Sequence, residues 1–420
     1  MRSKHSIIAG MDIGSSKVAC FIAEVGEGID APQVIGYGTC ASHGIKRGMV
    51  VDMDATENAI REAVNMAEEM ADVQIGHVFV SLGGVHLRSH VTDGLVVLGN
   101  NEIAQADLDK VIEVARAKQL EGDRQIVHAL PMRYVLDDQL DIRDPKGMMG
   151  SRLEADVNII TAAKAPYRNI IRCVQRCNLD VTGVVVSSFA SAQATLIEDE
   201  RELGVALVDI GGGTCDIAIY DQEALVYVCV VPVGGNHITS DIARGLSTPL
   251  HHAERIKTLY GSAMASQVEN DTNIDLPHVG EDEDSMTGHI TRSQLAGIIQ
   301  PRCEEMLEMI RNEIEKSGFE SSIGRRVVLT GGTSQLQGFR QLAEMVLDKS
   351  VRVAKPTGLE GLTSMSGVPQ FSTVSGLIIE GSKRTRGRIT PRHYKKPALP
   401  AFGTYWEALQ RWFKESFQAN

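Results

Sequence analysis

Two glycine-rich segments of the chain carry residue types that hold phosphate groups. Glycine lets a phosphate oxygen reach backbone N–H groups because no Cβ stands in the way, and successive N–H groups in a turn form an anion site. Serine and threonine hydroxyls add donors, and lysine adds a positive charge. Together these features predict a polyphosphate site. The two segments, 197 residues apart, are Asp12-Ile-Gly14-Ser15-Ser16-Lys17 and Asp209-Ile-Gly211-Gly212-Gly213-Thr214.

Each segment begins with an aspartate that could serve a metal ion. Mg²⁺ takes oxygen ligands and gives up its water reluctantly, so we expect Asp12 and Asp209 to act on Mg²⁺ through coordinated water. One glycine-rich turn would be weak support, because most such turns are structural. Two copies that face one site would explain the duplication as a divided clamp for a polyphosphate.

The elements around these segments follow from the apolar runs. In each copy an apolar strand leads into the turn and another follows it, which predicts a β-hairpin. A third segment, 327–339, passes from an apolar strand through Gly331-Gly332 to a helix start. This turn could place a base or ribose against backbone, although by itself it is an ordinary strand-to-helix connection. Helical periodicity predicts helices at about 54–71 and 104–117, and another that begins near residue 292.

Composition restricts the class of protein. With 420 residues, 43% hydrophobic and 23% charged, the chain has globular composition and room for two or three domains. A net charge of -12 argues against a nucleic-acid partner. Seven scattered cysteines without a secretory signal predict a reduced, cytosolic compartment, and no apolar run is long enough to span a membrane.

The C-terminal region differs from the rest. Residues 381–420 hold nine Lys or Arg and two acidic residues, so this region carries +7 and the preceding residues carry -19. Residues 381–401 contain three prolines and no acid, which predicts a flexible linker. Residues 402–420 form an amphipathic pattern that predicts a helix on an anionic membrane surface, with a helix packed on the body or a partner as the alternative. Its apolar face comprises Phe402, Tyr405, Trp406, Leu409, Trp412, Phe413 and Phe417.

In order and spacing, the three glycine-containing segments resemble the phosphate-1, phosphate-2 and adenosine motifs of the actin, heat-shock chaperone and sugar kinase superfamily. More narrowly, the chain resembles the FtsA family of actin-like bacterial cell-division proteins over essentially its full length. Residues 199–218, the Arg-Gly-Met-Val run at 47–50 and the aromatic terminal segment carry this resemblance. It implies an α/β fold in which two actin-like domains with duplicated ribonuclease-H-like cores surround an ATP cleft, and the first domain carries an inserted subdomain.

The resemblance also implies domain boundaries. The expected parts are a first core (1–82, 163–190 and 360–380), an inserted subdomain (83–162), a second core (191–240 and 311–359), a further subdomain (241–310), the linker (381–401) and the membrane helix (402–420).

The resemblance places the two turns on opposite sides of the ATP phosphates. It assigns Glu254 and Lys257 to ribose and adenine, although a solvated helix pair has the same spacing. The residues implied to bind the nucleotide are Asp12, Gly14, Ser15, Ser16, Lys17, Asp209, Gly211, Gly212, Gly213, Thr214, Gly235, Glu254, Lys257, Gly331 and Gly332, with Asp12 and Asp209 at Mg²⁺.

Hydrolysis of ATP needs a residue that positions the attacking water. Actin relatives carry Gln or Glu at the start of the helix that links the two domains, and here Ser187 or Ser188 takes that place. Neither serine is a good base or a long arm, and Asp216 could simply end the glycine-rich turn. We therefore expect tight nucleotide binding with at most slow turnover, so that the nucleotide acts mainly as a structural switch.

The family relation leads to a hypothesis about partners. In FtsA relatives the surface formed by 241–310 binds the C-terminal tail of tubulin-like FtsZ, and Arg302 and Glu305 are the expected contact, with a plain surface helix as the alternative. The leading hypothesis is an ATP-binding protein that polymerises at the division septum on the cytoplasmic face of the inner membrane. It would anchor the FtsZ ring there and recruit later division proteins through 83–162. The alternative is a soluble ATP-dependent kinase or chaperone whose tail docks a protein.

Overall fold

Strands and helices alternate along the part of the chain that the computed structural model describes, residues 6–26, 31–118, 122–268, 273–280, 288–362 and 367–386. The strands are β1 (Ser6–Ile13), β2 (Lys17–Val25), β3 (Gln33–Ala41), β4 (Ile45–Lys46), β5 (Met49–Val50), β6 (His77–Leu82), β7 (Leu87–Glu102), β8 (Arg124–Leu136), β9 (Gln139–Ile142), β10 (Met149–Ala163), β11 (Asp180–Val186), β12 (Val205–Ile210), β13 (Cys215–Asp221), β14 (Ala224–Val231), β15 (Asn273–Leu276), β16 (Gly288–Thr291), β17 (Arg326–Thr330) and β18 (Ser350–Val353). The helices are α1 (Met53–Ala71), α2 (Gln105–Lys118), α3 (Lys164–Arg176), α4 (Ser187–Thr195), α5 (Glu198–Leu203), α6 (Gly235–Leu246), α7 (Leu250–Tyr260), α8 (Arg292–Lys316), α9 (Phe339–Leu347) and α10 (Ser372–Arg386).

The two glycine-rich hairpins lie at the centre of two matching sheets. The first sheet has the strand order β3-β2-β1-β6-β11 and the second has β14-β13-β12-β17-β18. In each, three antiparallel strands are followed by two parallel ones. The repeat extends to the register, because Asp12 pairs with Ala19 and Asp209 pairs with Asp216. The predicted duplication of two cores is confirmed.

The central strands are mostly apolar, apart from the aspartates near their ends, because helices pack on the sheets. Strand β12 is buried along its whole length. Helix α1 packs on β2 and β3 with the stripe Ala59, Ile60, Ala63, Val64 and Ala67. Asp52 starts this helix by accepting a hydrogen bond from the N–H of Ala55 at 3.0 Å. The predicted helices near 54–71, 104–117 and 292 are confirmed as α1, α2 and α8.

A third sheet forms between β6 and α3. Its strand order is β7-β10-β8-β9, with all pairs antiparallel, and α2 packs against it. Val111, Leu153 and Val157 belong to its own apolar core. This inserted sheet also contacts β14 of the second core.

Helix α10 is the part of the structure that can be compared with the predictions for the C-terminal region. This helix continues to Arg386, so the first residues of the predicted linker 381–401 are helical, which corrects the expected start of the linker. The helix persists because Ser382 is still buried, and a Cβ on Gly381 would lie 2.8 Å from the Phe79 ring. The remaining linker and the helix predicted at 402–420 lie outside the described residues. No helix that the structure describes has both the length and the apolar character needed to cross a membrane.

Candidate functional site

A cleft of about 710 Å³ lies where the two glycine-rich turns meet. Its volume is within the range of small-molecule sites, roughly 300–1,000 Å³. The fifteen residues assigned above to a nucleotide all line this cleft. The structure thus brings the whole predicted set together from distant parts of the sequence, and its role in nucleotide binding stays a prediction.

The two turns have the same backbone and complementary side chains. In the first, the N–H of Gly14 donates to the carbonyl of Lys17 at 2.9 Å, and in the second the N–H of Gly211 donates to that of Thr214 at 2.9 Å. A Cβ on Gly212 would lie 1.8 Å from Ser16 Oγ, and the second turn has no room for one. The glycines of the second turn therefore make space for the serines of the first.

The first turn carries a carboxylate and an ammonium group. Ser81 Oγ donates to Asp12 Oδ1 at 2.7 Å and accepts from the N–H of Ile13 at 3.2 Å. Burial raises the pKa of Asp12, while Ser81 and Lys17 act in the opposite direction. Burial lowers the pKa of Lys17, against the attraction of Asp12 and Asp209. This wall therefore places a carboxyl group and an amino group in the lining of the cleft, and desolvation shifts the pKa of each in the direction that favours its neutral form.

The second wall carries Asp209, which is held from two helices. The hydroxyls of Ser191 on α4 and Thr373 on α10 both donate to Asp209 Oδ2, that of Thr373 at 3.0 Å. Burial raises the pKa of Asp209, and the nearby charge of Asp12 raises it further, whereas the Ser191 hydrogen bond lowers it. The two strand-end carboxylates are thus close enough to interact.

Asp216 supplies a third carboxylate. Thr214 Oγ1 donates to its Oδ2 at 2.7 Å, and its Oδ1 is buried. Burial, together with the charges of Asp209 and Asp12, raises its pKa to about 7, against the hydrogen bond from Thr214. Three neighbouring carboxyl groups, whose charges raise the pKa of Asp209 and Asp216, are a feature that a bound cation would stabilise.

The donor set fits a hard cation such as Mg²⁺. Mg²⁺ in phosphate sites uses one or two carboxylates and completes its shell with water and phosphate oxygens. Among the described residues, no group of three or more His, Cys, Asp or Glu side chains could hold a metal ion. Asp12 and Asp209 are the strand-end carboxylates that could hold the ion through water.

Glu254 and Lys257 lie at the far side of the cleft. Lys257 Nζ donates to Glu254 Oε2 at 2.6 Å, to Thr239 Oγ1 at 2.9 Å and to the carbonyl of Gly235 at 3.2 Å. The Lys257 side chain is 13% exposed. Lys257 is therefore less solvated than the alternative above assumed and lies beside the N-terminus of α6, whereas the Glu254 side chain is 51% exposed, as that alternative expects.

Gly331 meets the second turn from β17. Its φ is +85°, and a Cβ there would lie 2.4 Å from Asp209 Oδ1 and 2.5 Å from the carbonyl of Ile210. Both the left-handed conformation and the close approach require glycine. Thr333 adds a hydrogen bond of 3.0 Å to the carbonyl of Gly211, so this third segment packs directly on the second turn.

The cleft also contains residues that the sequence argument missed. Gly83 is one, and the pattern Val80-Ser-Leu-Gly83-Gly84, which repeats Val328-Leu-Thr-Gly331-Gly332, was a signal for it. Asn236 and Gln370 line the cleft without any such signal. The open choice at the linking helix is resolved, because Ser187 lines the cleft while Ser188 is fully buried elsewhere.

Arg302 and Glu305 lie on α8, away from the cleft lining. Arg302 donates to both oxygens of Asp241 on α6, at 2.5 and 3.2 Å, and also pairs with Glu305. These hydrogen bonds raise the pKa of Arg302 above its usual value. Arg302 therefore ties α8 to α6, and Glu305 is the more exposed of the pair.

The duplicated cores and the cleft between them define an actin-like protein. Solved structures of the same fold include the PilM-PilN type IV pilus biogenesis complex (16% identity, TM-score 0.62, 89% of this chain and 98% of that one) and MreB5 of Spiroplasma citri bound to ADP (12% identity, TM-score 0.54, 91% and 97%). A third is the MamK double helical filament (12% identity, TM-score 0.50, 89% and 98%).

Sequence comparison narrows this class to one family. The protein-family model described as "Cell division protein FtsA" matches residues 206–376. The family model described as "SHS2 domain inserted in FTSA" matches residues 84–161. Cell division protein FtsA of Pseudomonas aeruginosa is 38% identical over 98% of this chain and 98% of its own length. That of Escherichia coli K12 is 34% identical, over 98% and 99%. The chain belongs to the FtsA family.

Proposed function

We propose that this chain binds one ATP with Mg²⁺ in the cleft and acts as an actin-like cell-division protein. The observation that carries the proposal is the contact between the two turns, in which serines of the first turn pack against glycines of the second. The carboxylates of Asp12, Asp209 and Asp216 and the amino group of Lys17 line the same cleft. Backbone N–H groups of both turns would bind the phosphates, and Lys17 would add its charge. Asp12 and Asp209 would hold Mg²⁺, which would neutralise phosphate charge when bound.

Calorimetric titration with ATPγS and Mg²⁺ tests nucleotide binding without hydrolysis. We expect one nucleotide per chain, and at least tenfold weaker binding for Gly212→Ala because the added Cβ meets Ser16 Oγ. Gly76→Ala is the matched control, since a Cβ at Gly76 has no atom within 4 Å. No heat of binding at saturating nucleotide in the folded wild-type protein would refute the proposal.

We further propose that hydrolysis is slow. Ser187 occupies the wall of the cleft at the start of α4, and its hydroxyl is too short to orient a water in the way a Gln side chain does. A steady-state assay should give low turnover in wild type and faster turnover in Ser187→Gln, with Ser188→Ala as the control. Wild-type turnover like that of active chaperone ATPases would contradict this part.

We propose that residues 402–420 attach the protein to the cytoplasmic face of the inner membrane. The support is the sequence pattern of aromatic residues on one helical face and a basic segment before it. Co-sedimentation with vesicles containing anionic lipid should capture the full chain and not a chain that ends at Arg386, which keeps α10 whole. Trp406→Glu with Trp412→Glu should also release it while retaining the basic linker. Equal sedimentation of all three proteins would refute attachment through residues 402–420. If all three stay in the supernatant, a soluble kinase or chaperone would be favoured.

The proposed role at the septum is to polymerise, anchor the FtsZ ring and recruit later division proteins. Family membership supports this role, and so does the likeness in fold to the MamK double helical filament. Binding of an FtsZ C-terminal peptide measures the first contact: Glu305→Ala should weaken it without unfolding α8, since Glu305 is 55% exposed. Arg302→Ala also breaks the tie to Asp241, so loss of binding in that variant alone would indicate a structural effect and contradict the contact at Glu305.

A further inference from the structure

A buried histidine of the inserted sheet reaches the helix that borders the cleft. His128 lies on β8 and is 6% exposed. Its Nε2 accepts a hydrogen bond from the backbone N–H of Val186 at 3.0 Å. Its ring also packs against Phe189, with 5.1 Å between ring centroids. The inserted sheet therefore contacts the start of α4 through a polar and an aromatic interaction.

The start of α4 carries two groups of the candidate site. Ser187 follows Val186 directly and lines the cleft. One turn later, Ser191 donates to the carboxylate of Asp209. Val186 is the N-cap residue of α4, and its backbone N–H donates to His128 Nε2. A buried N–H without a partner is unfavourable, so this hydrogen bond constrains where α4 begins.

A second buried contact joins the same inserted sheet to the other core. Asn158 on β10 is fully buried, and its Nδ2 donates to the carbonyl of Leu225 on β14 at 2.9 Å. Ser89 Oγ donates to Asn158 Oδ1 at 2.7 Å and holds the amide in this orientation. The inserted sheet is thus anchored to both cores that form the cleft.

We propose that His128 is a positioning residue for the nucleotide cleft and couples the inserted subdomain to it. The inference rests on the proposed function, because it assumes that the cleft binds a nucleotide. The hydrogen bond to Val186 sets the start of α4, and α4 sets Ser187 and the Ser191–Asp209 contact. Because coupling between two sites is reciprocal, a ligand that moves the inserted sheet changes nucleotide affinity, and nucleotide changes the affinity for that ligand by the same factor.

Two substitutions at His128 separate the hydrogen bond from packing. His128→Gln keeps an acceptor near the position of Nε2, whereas His128→Leu keeps the volume and removes the acceptor. We expect His128→Leu to weaken ATPγS binding with Mg²⁺ by about 10-fold and His128→Gln to stay within about threefold of wild type. Val111→Ala is the control, because it opens a cavity in the core of the same subdomain without contacting α4. Equal loss in His128→Leu and Val111→Ala would overturn the proposal.

Hydrogen exchange supplies a readout that does not depend on nucleotide binding. In the nucleotide-free protein, His128→Leu should speed exchange of the Val186 amide and the first turn of α4, while His128→Gln and Val111→Ala should not. In wild type, saturation with ATPγS should slow exchange at Val186 and along β8. If wild type binds no nucleotide, the proposed function fails while the first experiment still tests His128. Unchanged exchange at Val186 in both experiments would refute its positioning role.

Discussion

The two glycine-rich hairpins have the same backbone hydrogen bonding and differ in their side chains. Both close with the same hydrogen bond across the turn, and both present an aspartate at the same register position. The first turn has Ser15, Ser16 and Lys17 where the second has Gly212, Gly213 and Thr214. Two residues after the turn, the first strand has a buried Ala19 and the second has Asp216.

This difference shows how a duplicated frame can acquire two roles. The first wall supplies side-chain donors and a positive charge, and the second supplies bare backbone and an extra carboxylate. Two copies of the same turn would make a poorer cleft. Two serine-bearing turns would clash where Ser16 now packs against Gly212, and two glycine turns would lack the charge of Lys17. The two turns therefore have the same topology but different chemistry, and three experiments test this.

The largest effect is expected at Asp216, the group that has no counterpart in the first hairpin. Its pKa is raised to about 7 in the folded protein from 3.8, so the folded state binds its proton more tightly than the unfolded state. The stabilisation of the folded state by protonated Asp216 is therefore fully present below about pH 4 and is lost as the pH rises through 7. Asp216→Asn should raise the free energy of unfolding at pH 8 by roughly 2–4 kcal/mol and have little effect near pH 4.

Urea denaturation at both pH values measures this difference. Asp138→Asn is the control, since Asp138 is exposed on a turn of the inserted sheet. A gain in stability that is the same at pH 4 and pH 8 would show that Asp216 is not titrating in this range.

The second prediction compares the contributions of Lys17 and Thr214, which occupy matching positions in the two turns, to nucleotide binding. Lys17→Met removes the cation of the first turn and should weaken ATPγS binding by about 10- to 100-fold, the usual effect of losing a hydrogen bond to a charged group. Thr214→Val at the matching position should weaken it by about 2- to 10-fold, because a neutral donor is lost. Calorimetric titration of both variants gives the ratio of their losses in ATPγS affinity. A larger loss for Thr214→Val would reverse the roles assigned to the walls.

The smallest effect concerns the fit between the turns. A Cβ on Gly213 would lie 2.7 Å from Ser15 Cβ, so Gly213→Ala should lower the free energy of unfolding by about 1–3 kcal/mol. Ser15→Gly should restore most of it in the double variant, since the clash is then removed. Additive losses in this double-mutant cycle would mean that the turns do not interlock.

The sequence predicted those parts of the site that depend on local pattern. Glycine-rich turns, the strand-end aspartates and the repeat itself are visible along the chain, and every residue of the two turns that was assigned to the nucleotide lines the cleft. The groups that hold the aspartates were not visible, because Ser81, Ser191 and Thr373 come from distant elements and have no distinctive spacing.

Other features depended on tertiary packing as well. The choice between Ser187 and Ser188 required the orientation of α4. The extent of α10 to Arg386 required contacts that its Gly- and Ser-containing sequence does not reveal. His128 carried no signal, since a single histidine in an apolar strand is usually an ordinary core residue.

A crystal structure of the full chain with ATPγS and Mg²⁺ tests the central claim most directly. We expect the phosphates of one nucleotide between the two turns, contacted by backbone N–H groups on both sides, with the metal ion near Asp12 and Asp209. A nucleotide held by one turn alone, or located outside the cleft, would contradict the account.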